Sequence, residues 1–439
     1  MTRLSGWGRF RPMAAQVARA RTEADVAATL ANGPLIARGN GRAYGDSAIS
    51  PGLTLDMRGM DRMLSFAPET GVMVAEAGVL LADIIGHFLP KGWFPAVTPG
   101  TKFVTLGGAI AADVHGKNHH LDGSFGAYVD WVDVMGADGR VTRAGAGSEA
   151  FDWILGGMGL TGVILRAQIR LRPVQTGWIM QDMRATRTLA ATIDMMDATL
   201  DAPYSVAWLD CVTTGAMMGR GLVMLGRHAG IADLPPAQRR RPFVTPPKRR
   251  LRLPFDLPSV ALNGVTRRMF NAAYYWNGRR KPGPRLVDWD SYFYPLDAIL
   301  DWNRGYGRAG FLQFQCALPD AGAKPGMAAL LAAIAASGEA SVLSVLKRFG
   351  PQQGRFSFPM PGYTLALDFP ANARSLRLMD HLDAITLDYG GRFYLAKDAR
   401  IARDVFEASD PRIAAFRAMR QTSGAAGRFA SVQSQRLGL

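Results

Sequence analysis

The segment LIARGNGRAYGDSA (residues 35–48) decides how the first third of this 439-residue chain folds. Its glycines, Gly39, Gly41 and Gly45, are spaced G-x-G-x-x-x-G, one residue off the dinucleotide fingerprint G-x-G-x-x-G. A Rossmann loop must also open a helix whose N-terminus takes the pyrophosphate. Here the chain runs on through SAISPGLTLDM, where Pro51 and Gly52 precede an apolar, β-like run. The reading is therefore strand, loop, strand. Such a loop either makes an ordinary tight turn or cups an anion with its backbone N–H groups.

Two further glycine clusters bear on that choice. TPGTKFVTLGGAIAADVHG (98–116) carries Gly100, Gly107 and Gly108, and LGGMGLTGVIL (155–165) carries Gly156, Gly157, Gly159 and Gly162. Glycine lets backbone approach a partner closely. Three such loops imply close approach to one long ligand at several points, and a flavin dinucleotide has that length.

Composition bounds the rest. A hydrophobic content of 48% with 20% charged residues describes a globular chain with a sizeable core. Cys211 and Cys316 stand far apart, which gives neither a disulfide framework nor a zinc ribbon. The N-terminus has scattered arginines and no apolar segment, and no apolar run reaches membrane-spanning length. A cytoplasmic chain, at most peripheral to a membrane, is expected. The net charge of +15 favours anionic partners. It concentrates in RRRPFVTPPKRRLR (239–252), seven basic residues without an acid, followed by Tyr274, Tyr275, Trp276 and GRRK at 278–281. This segment reads either as a solvated loop or as a Pro-broken, non-helical element docking on an anionic membrane surface or lipid phosphate. No nucleic-acid motif accompanies the charge, so nucleic acid is not the expected partner.

Periodicity predicts a helix at 22–32, strands at 34–38, 53–57, 72–75 and 131–135, and a helix in AGVLLADIIGHFLPKG. Residues 160–172 read as a further strand. Beyond 176, strand-like YSVAWLDCV and GFLQFQCALP alternate with helical KPGMAALLAAIAAS. The segment from RFYLAKDAR onward is mostly helical.

ADVHGKNHH (112–120) holds three of the six histidines. His115 and His119 are four apart, as in H-E-x-x-H, but the glutamate is missing and Gly116 breaks the helix which that motif needs. No metal is expected. The imidazoles either serve the loop structurally or form the polar wall of a ligand site.

In the order GNGRAYGD, TPGTKFVTLGGAIAADVHGKNHH, GGMGLTGVIL, the loops resemble the flavin domain of the vanillyl-alcohol oxidase/p-cresol methylhydroxylase superfamily. HGKNHH followed by DGSFG, with YLAKDAR near the C-terminus, is similar to its decaprenylphosphoryl-ribose 2′-oxidase family, the flavin half of a two-enzyme epimerase. The likeness spans most of the chain and is strongest in 34–172 and 391–400.

The resemblance implies an α+β, two-domain flavoprotein. A bipartite FAD domain (1–175, with 392–439 returning to it) carries an antiparallel-sheet substrate domain (176–391). It implies FAD contacts from Ala37, Arg38, Gly39, Asn40, Gly41, Arg42, Ala43, Tyr44, Gly45, Asp46 and Ser47 along the pyrophosphate. Gly100, Thr101, Thr105, Leu106, Gly107 and Gly108 would reach the pyrophosphate and ribityl chain. Ala112, Asp113, Val114 and His115 would pass the isoalloxazine, and Gly162, Val163 and Ile164 the adenine; Tyr394 matches a flavin contact. Arg42 stands where covalent members carry a histidine, so FAD is expected without a covalent link. Lys397, His115 and Tyr44 are the catalytic candidates; Lys117, Gln313, Gln315 and Lys347 are those for substrate. The implied reaction is FAD-dependent oxidation of a secondary hydroxyl on a polyprenyl-phosphate-linked pentose, with a short-chain reductase as partner. An aldonolactone or alditol oxidase, or a membrane- or polyanion-binding protein with a relic flavin fold, are the alternatives. One departure is Ala366, where mycobacterial members of the family have cysteine; the redox chemistry needs no thiol, but pocket detail differs there.

Overall fold

The computed structural model describes residues 1–258, 263–352 and 354–439. Strand Leu35–Arg38 runs parallel to Leu53–Asp56, which runs parallel to Met13–Arg19, and Thr2–Leu4 closes this sheet in antiparallel pairing. Parallel neighbours need a crossover, usually helical. Here residues 39–52 make it as irregular loop, as the Pro51–Gly52 break suggested. Helix Glu23–Ala31 begins at a capping box: the Thr22 hydroxyl accepts from Asp25 N while the Asp25 carboxylate accepts from Thr22 N.

A second sheet is built around the long strand Val163–Pro173, antiparallel to Val72–Glu76 and Val129–Met135. Helix Leu81–Phe88 packs Leu81, Ile84 and Phe88 into the core beneath this sheet. The third sheet has eight strands, in the order Gly283–Asp288, Trp178–Thr186, Gly221–His228, Tyr204–Leu209, Ser344–Phe349, Gly362–Pro370, Phe311–Pro319, Arg392–Phe393. Its neighbours are antiparallel throughout. Side chains alternate across it. Leu209, Val223, Phe314, Leu346 and Leu367 face a core shared with helices Leu189–Asp197, Asp320–Ser337 and Ala373–Asp388. Trp208, Met224, Gln313, Gln315 and Lys347 face the other way, into a cavity.

The basic segment departs from expectation in two places. Arg239 closes a one-turn helix, Pro236–Arg239, because a proline at its start is preset for helical φ. Its guanidinium caps Leu234 O at 2.8 Å. Lys248 is turned inward, donating to Tyr294 O at 2.7 Å and Asp290 O at 3.1 Å, and Leu251–Arg252 pairs with Ile299–Leu300. Part of this loop is therefore tied down rather than solvated.

The C-terminal segment closes back on the first sheet. Arg428 O accepts from Leu35 N, Ala430 N donates to Leu35 O, and Val432 N donates to Ile49 O. Arg436 pairs with both Asp46 and Asp398. Tyr44 N donates to Ala396 O, and a Cβ on Gly45 would lie 2.0 Å from Asp398 O. Backbone against backbone cannot yield as a side chain can. We expect Gly45→Ala to destabilise the fold by about 1–3 kcal/mol, the scale of an overpacked site. Thermal unfolding should show a lowered midpoint, and proteolysis should free the C-terminal segment first. An unchanged midpoint would show that the two segments do not depend on this contact.

Candidate active site

A cavity of about 840 Å³ lies between the glycine loops and the free face of the eight-stranded sheet. Small-molecule sites span roughly 300–1,000 Å³, so this one suits a long ligand together with a second molecule. Its loop wall comprises Ala37, Gly39, Asn40, Gly41, Arg42, Ala43, Tyr44 and Ser47 from the first loop. Gly100, Thr101, Thr105, Gly107 and Gly108 come from the second, and Gly162 and Ile164 from the third. The backbone N–H groups of Gly39, Asn40, Gly41, Arg42 and Ala43 make no hydrogen bond among the described residues. Gly41 at φ +63 turns this run into a concave array of donors. The loops are also drawn tightly together: a Cβ on Gly39 would lie 2.1 Å from the Thr105 hydroxyl.

Not every candidate reaches the wall. Leu106 and Val163 are buried in apolar clusters, and Gly45 lies against Asp398. Asp46 pairs with Arg436, and the Arg38 guanidinium caps Ala48 O and Ser5 O. Asp113 is wholly buried behind the wall at φ +40. Its carboxylate accepts from Ser124 Oγ (2.7 Å), Gly126 N (2.9 Å), Gln352 Nε2 (3.0 Å) and Ser357 Oγ (2.5 Å). It holds the 112–126 turn to the 352–357 segment. Burial raises its pKa, against those four donors.

All seven catalytic and substrate candidates line the cavity, as do Ala112, Val114 and Tyr394. Lys347 projects from strand Ser344–Phe349, and burial lowers its pKa from the usual 10.5 to about 8. Lys117, beside the Tyr292 ring at 4.0 Å and donating to Tyr292 O, is lowered to about 7 by burial and then by Lys347. The Lys397 ammonium sits 3.7 Å from the Tyr44 ring centre. Burial pushes Lys397 down and Asp368 up, while Asp368 attracts the ammonium and Lys347 repels it. Among the described residues, Lys117, Lys347 and Lys397 have no carboxylate within ion-pair distance. Three partly buried lysines thus face one cavity, and none of them is in ion-pair contact with a carboxylate among the described residues.

His115 stands among them. Its Nε2 lies 3.2 Å from Gln315 Nε2, and its Nδ1 has no partner among the described residues. Its ring is packed edge-on against Phe349. Burial, then Lys347, His119 and Lys397, hold it well below the usual imidazole range, so it is neutral. His119 and His120 serve the loop: His119 Nε2 meets Gln352 Oε1 at 2.8 Å, and His120 Nε2 meets Ala202 O at 2.9 Å. Burial raises the Tyr44 pKa well above 10, so its phenol stays protonated.

The sheet wall went largely unread in the sequence. Trp178, Met183, Trp208, Met224 and Leu286 line one end of the cavity, on its first four strands. Lys347, Thr364, Ala366, Gln313 and Gln315 line the other end, on the next three. Apolar thus gives way to polar across one sheet face, with Gln181 and Arg285 as polar groups at the apolar end. Alternation could have flagged which residues share a face. Nothing in a strand says which strands become neighbours.

These residues fit a flavin dinucleotide. The unspent N–H groups of residues 39–43 and the buried Ser47 hydroxyl, which has no partner among the described residues, suit its phosphates and ribityl chain, and the lysines suit its negative charge. The comparisons agree. Residues 14–145 match the FAD binding domain family. Decaprenylphosphoryl-beta-D-ribose oxidase of Mycolicibacterium smegmatis is 37% identical over 100% of this chain and 97% of its own. An uncharacterized protein of Streptomyces coelicolor is 35% identical over 82% of this chain and 99% of its own. An uncharacterized oxidoreductase of Rhodococcoides fascians is 32% identical over 34% of this chain and 36% of its own. With a full-length relative and a vanillyl-alcohol-oxidase-like α+β architecture, the chain belongs to the decaprenylphosphoryl-β-D-ribose oxidase family of FAD-dependent oxidoreductases.

Proposed function

We propose that the chain oxidises the 2′ hydroxyl of a ribose carried on a polyprenyl phosphate, as the first half of an epimerisation that a separate short-chain reductase completes. In this reading residues 1–175 and 392–439 hold FAD, and residues 176–391 cover it and hold substrate. The observation that carries the proposal is the cavity's gradient: three partly buried lysines, none in ion-pair contact with a carboxylate among the described residues, gather about Lys347, and an apolar gallery lies beyond them. A phosphate joined to a long prenyl chain has that polarity; a soluble sugar has only half of it.

When bound, FAD supplies the acceptor for the hydride leaving the carbinol carbon. The chain's own residues do the rest. Lys117 and Lys347 hold the substrate phosphate as fixed positive charge in a dry site, where such charge acts strongly. Gln313 and Gln315 orient the sugar, and Gln315 also orients His115. Lys397, eased toward its neutral form by burial, takes the hydroxyl proton. The ammonium so formed is met by the Tyr44 ring face and by Asp368. Tyr44, held protonated, donates a hydrogen bond and does not act as base.

Anaerobic bleaching of the flavin by polyprenyl-phosphoryl ribose tests the assignment against a soluble aldonolactone or alditol. Equal rates with the soluble compound would turn the reading to the alternative oxidase, and a colourless, flavin-free protein to the relic fold. For Lys397→Met we expect retained flavin and substrate reduction at least about 10²-fold slower. The wild-type rate should rise with pH as Lys397 loses its proton, and that limb should vanish in the variant. A persistent limb would remove Lys397 as the base.

Lys347 gives a pH prediction for stability. Its native pKa of about 8 lies below the usual 10.5, so between these values the unfolded chain binds the extra proton. Stability should therefore rise with pH across that window, and below about 8 the burial penalty is complete. Lys347→Met should raise the midpoint of the holoenzyme at neutral pH, by a penalty relieved of at most roughly 3 kcal/mol. It should also raise KM for the phosphate-bearing substrate tenfold or more. A destabilised variant with an unchanged KM would refute the role.

We also expect acid precipitation to release all the FAD. Arg42 occupies the position of the linking histidine, and among the described residues His115 is the one histidine on the wall. Flavin remaining on the pellet would refute non-covalent binding.

A further inference from the structure

Helix Gly264–Arg279 is packed with its polar side inward. Arg267 pairs with Glu339 at 2.9 Å and donates to Ala340 O at 2.6 Å. Asn271 Nδ2 donates to Asp210 and Ser341 O, and the Tyr275 hydroxyl donates to Thr186 O. Gly278 lies so close to the sheet that a Cβ there would meet Leu222 at 2.3 Å. These contacts fix the rotation of the helix. Its outer face is then Val265 (65% exposed), Met269 (67%), Phe270 (49%), Trp276 (44%) and Tyr274 (37%). A surface helix ordinarily does the reverse.

The flanking charge is of one sign. Arg268, Arg279, Arg280 and Lys281 are exposed beside this face, and no acidic residue occurs between Asp256 and Asp288. No helix among the described residues is long and apolar enough to cross a membrane. An apolar stripe flanked by cations lies in the plane of an anionic bilayer, with its rings at headgroup depth. A second copy of the chain would set cation against cation across such a face. Tyr274 belongs to both surfaces: it is exposed on the helix, packs on Trp208 at 4.9 Å and lines the apolar end of the cavity.

We propose that the outer face of helix Gly264–Arg279 docks the protein on anionic lipid bilayers, so that the apolar end of the cavity opens against the membrane beside Tyr274. The docking stands without any substrate assignment; the use of that opening by a prenyl tail rests on the reading in the preceding subsection.

The test is co-sedimentation of the holoenzyme with vesicles of equal parts phosphatidylcholine and phosphatidylglycerol. The variant replaces Val265, Met269 and Trp276 by serine together; these are exposed positions outside the cavity wall, and retained flavin confirms its fold. Wild type should partition at least about tenfold more strongly than this variant. It should release at high salt and bind pure phosphatidylcholine weakly. Equal partitioning by the two proteins, or a wild type that never sediments, would overturn the proposal. So would binding lost only when Arg239, Arg240 and Arg241 are replaced, or a wild-type dimer that the triple variant converts to monomer. Cys211 and Cys316 are buried, so Met269→Cys offers an accessible thiol for an environment-sensitive fluorophore. Its emission should shift to the blue on vesicles, and an unshifted spectrum would count against docking. Anaerobic flavin reduction then separates the two claims. With vesicle-borne polyprenyl-phosphoryl ribose the triple variant should be slowed about tenfold, while a short-chain phosphoryl ribose should react as in wild type. Lost binding with both substrates unaffected would leave docking in place and remove the tail's route.

Discussion

Three partly buried lysines that share one cavity, none in ion-pair contact with a carboxylate among the described residues, set the terms for the rest of this structure. Charge taken out of water without a counter-charge is costly, and Lys347 raises that cost for Lys117 and for Lys397. Depressed pKa values are the direct sign of it. The fold tolerates the cost because each lysine is rooted in well-packed structure. Lys347 lies on a strand paired on both sides, and Lys117 rests on an aromatic ring. Any anion that binds beside these lysines stabilises the folded protein by mass action.

The eight-stranded sheet turns this local cost into selectivity. Its strict alternation gives one face to three helices and a continuous apolar core, leaving the other face free to form a wall. Strand order distributes polarity along that wall. Ala366 contributes a small side chain between Gln315 and Val345, which leaves room in the polar part of that wall.

Much of this was legible in the sequence. The glycine loops and the break at Pro51–Gly52 gave a strand, a non-helical crossover and a strand, and the Thr22 cap lies where periodicity put it. The string HGKNHH identified the family. What stayed hidden depends on distant partners. Asp113 reads as a flavin contact beside His115, but its four donors come from residues up to 244 positions away, and they pull it behind the wall. Tyr274, Tyr275 and Trp276 read as one aromatic cluster; helical rotation sends Tyr275 inward and its neighbours outward. Lys248 reads as a loop cation until Asp290 and Tyr294 supply carbonyls for it.

The closing of the C-terminal segment on the first loop also bears on how the protein is made. Residues 35–49 are bonded to residues 396–432, almost the full length of the chain away. Such long-range contacts are slow to form, because the closure entropy of a long loop opposes them. On the ribosome the first loop emerges well before residues 396–432 and stays without these partners until they too have been made. A chain that lacks residues 396–432 therefore loses the clamp on its first loop while keeping every glycine in it.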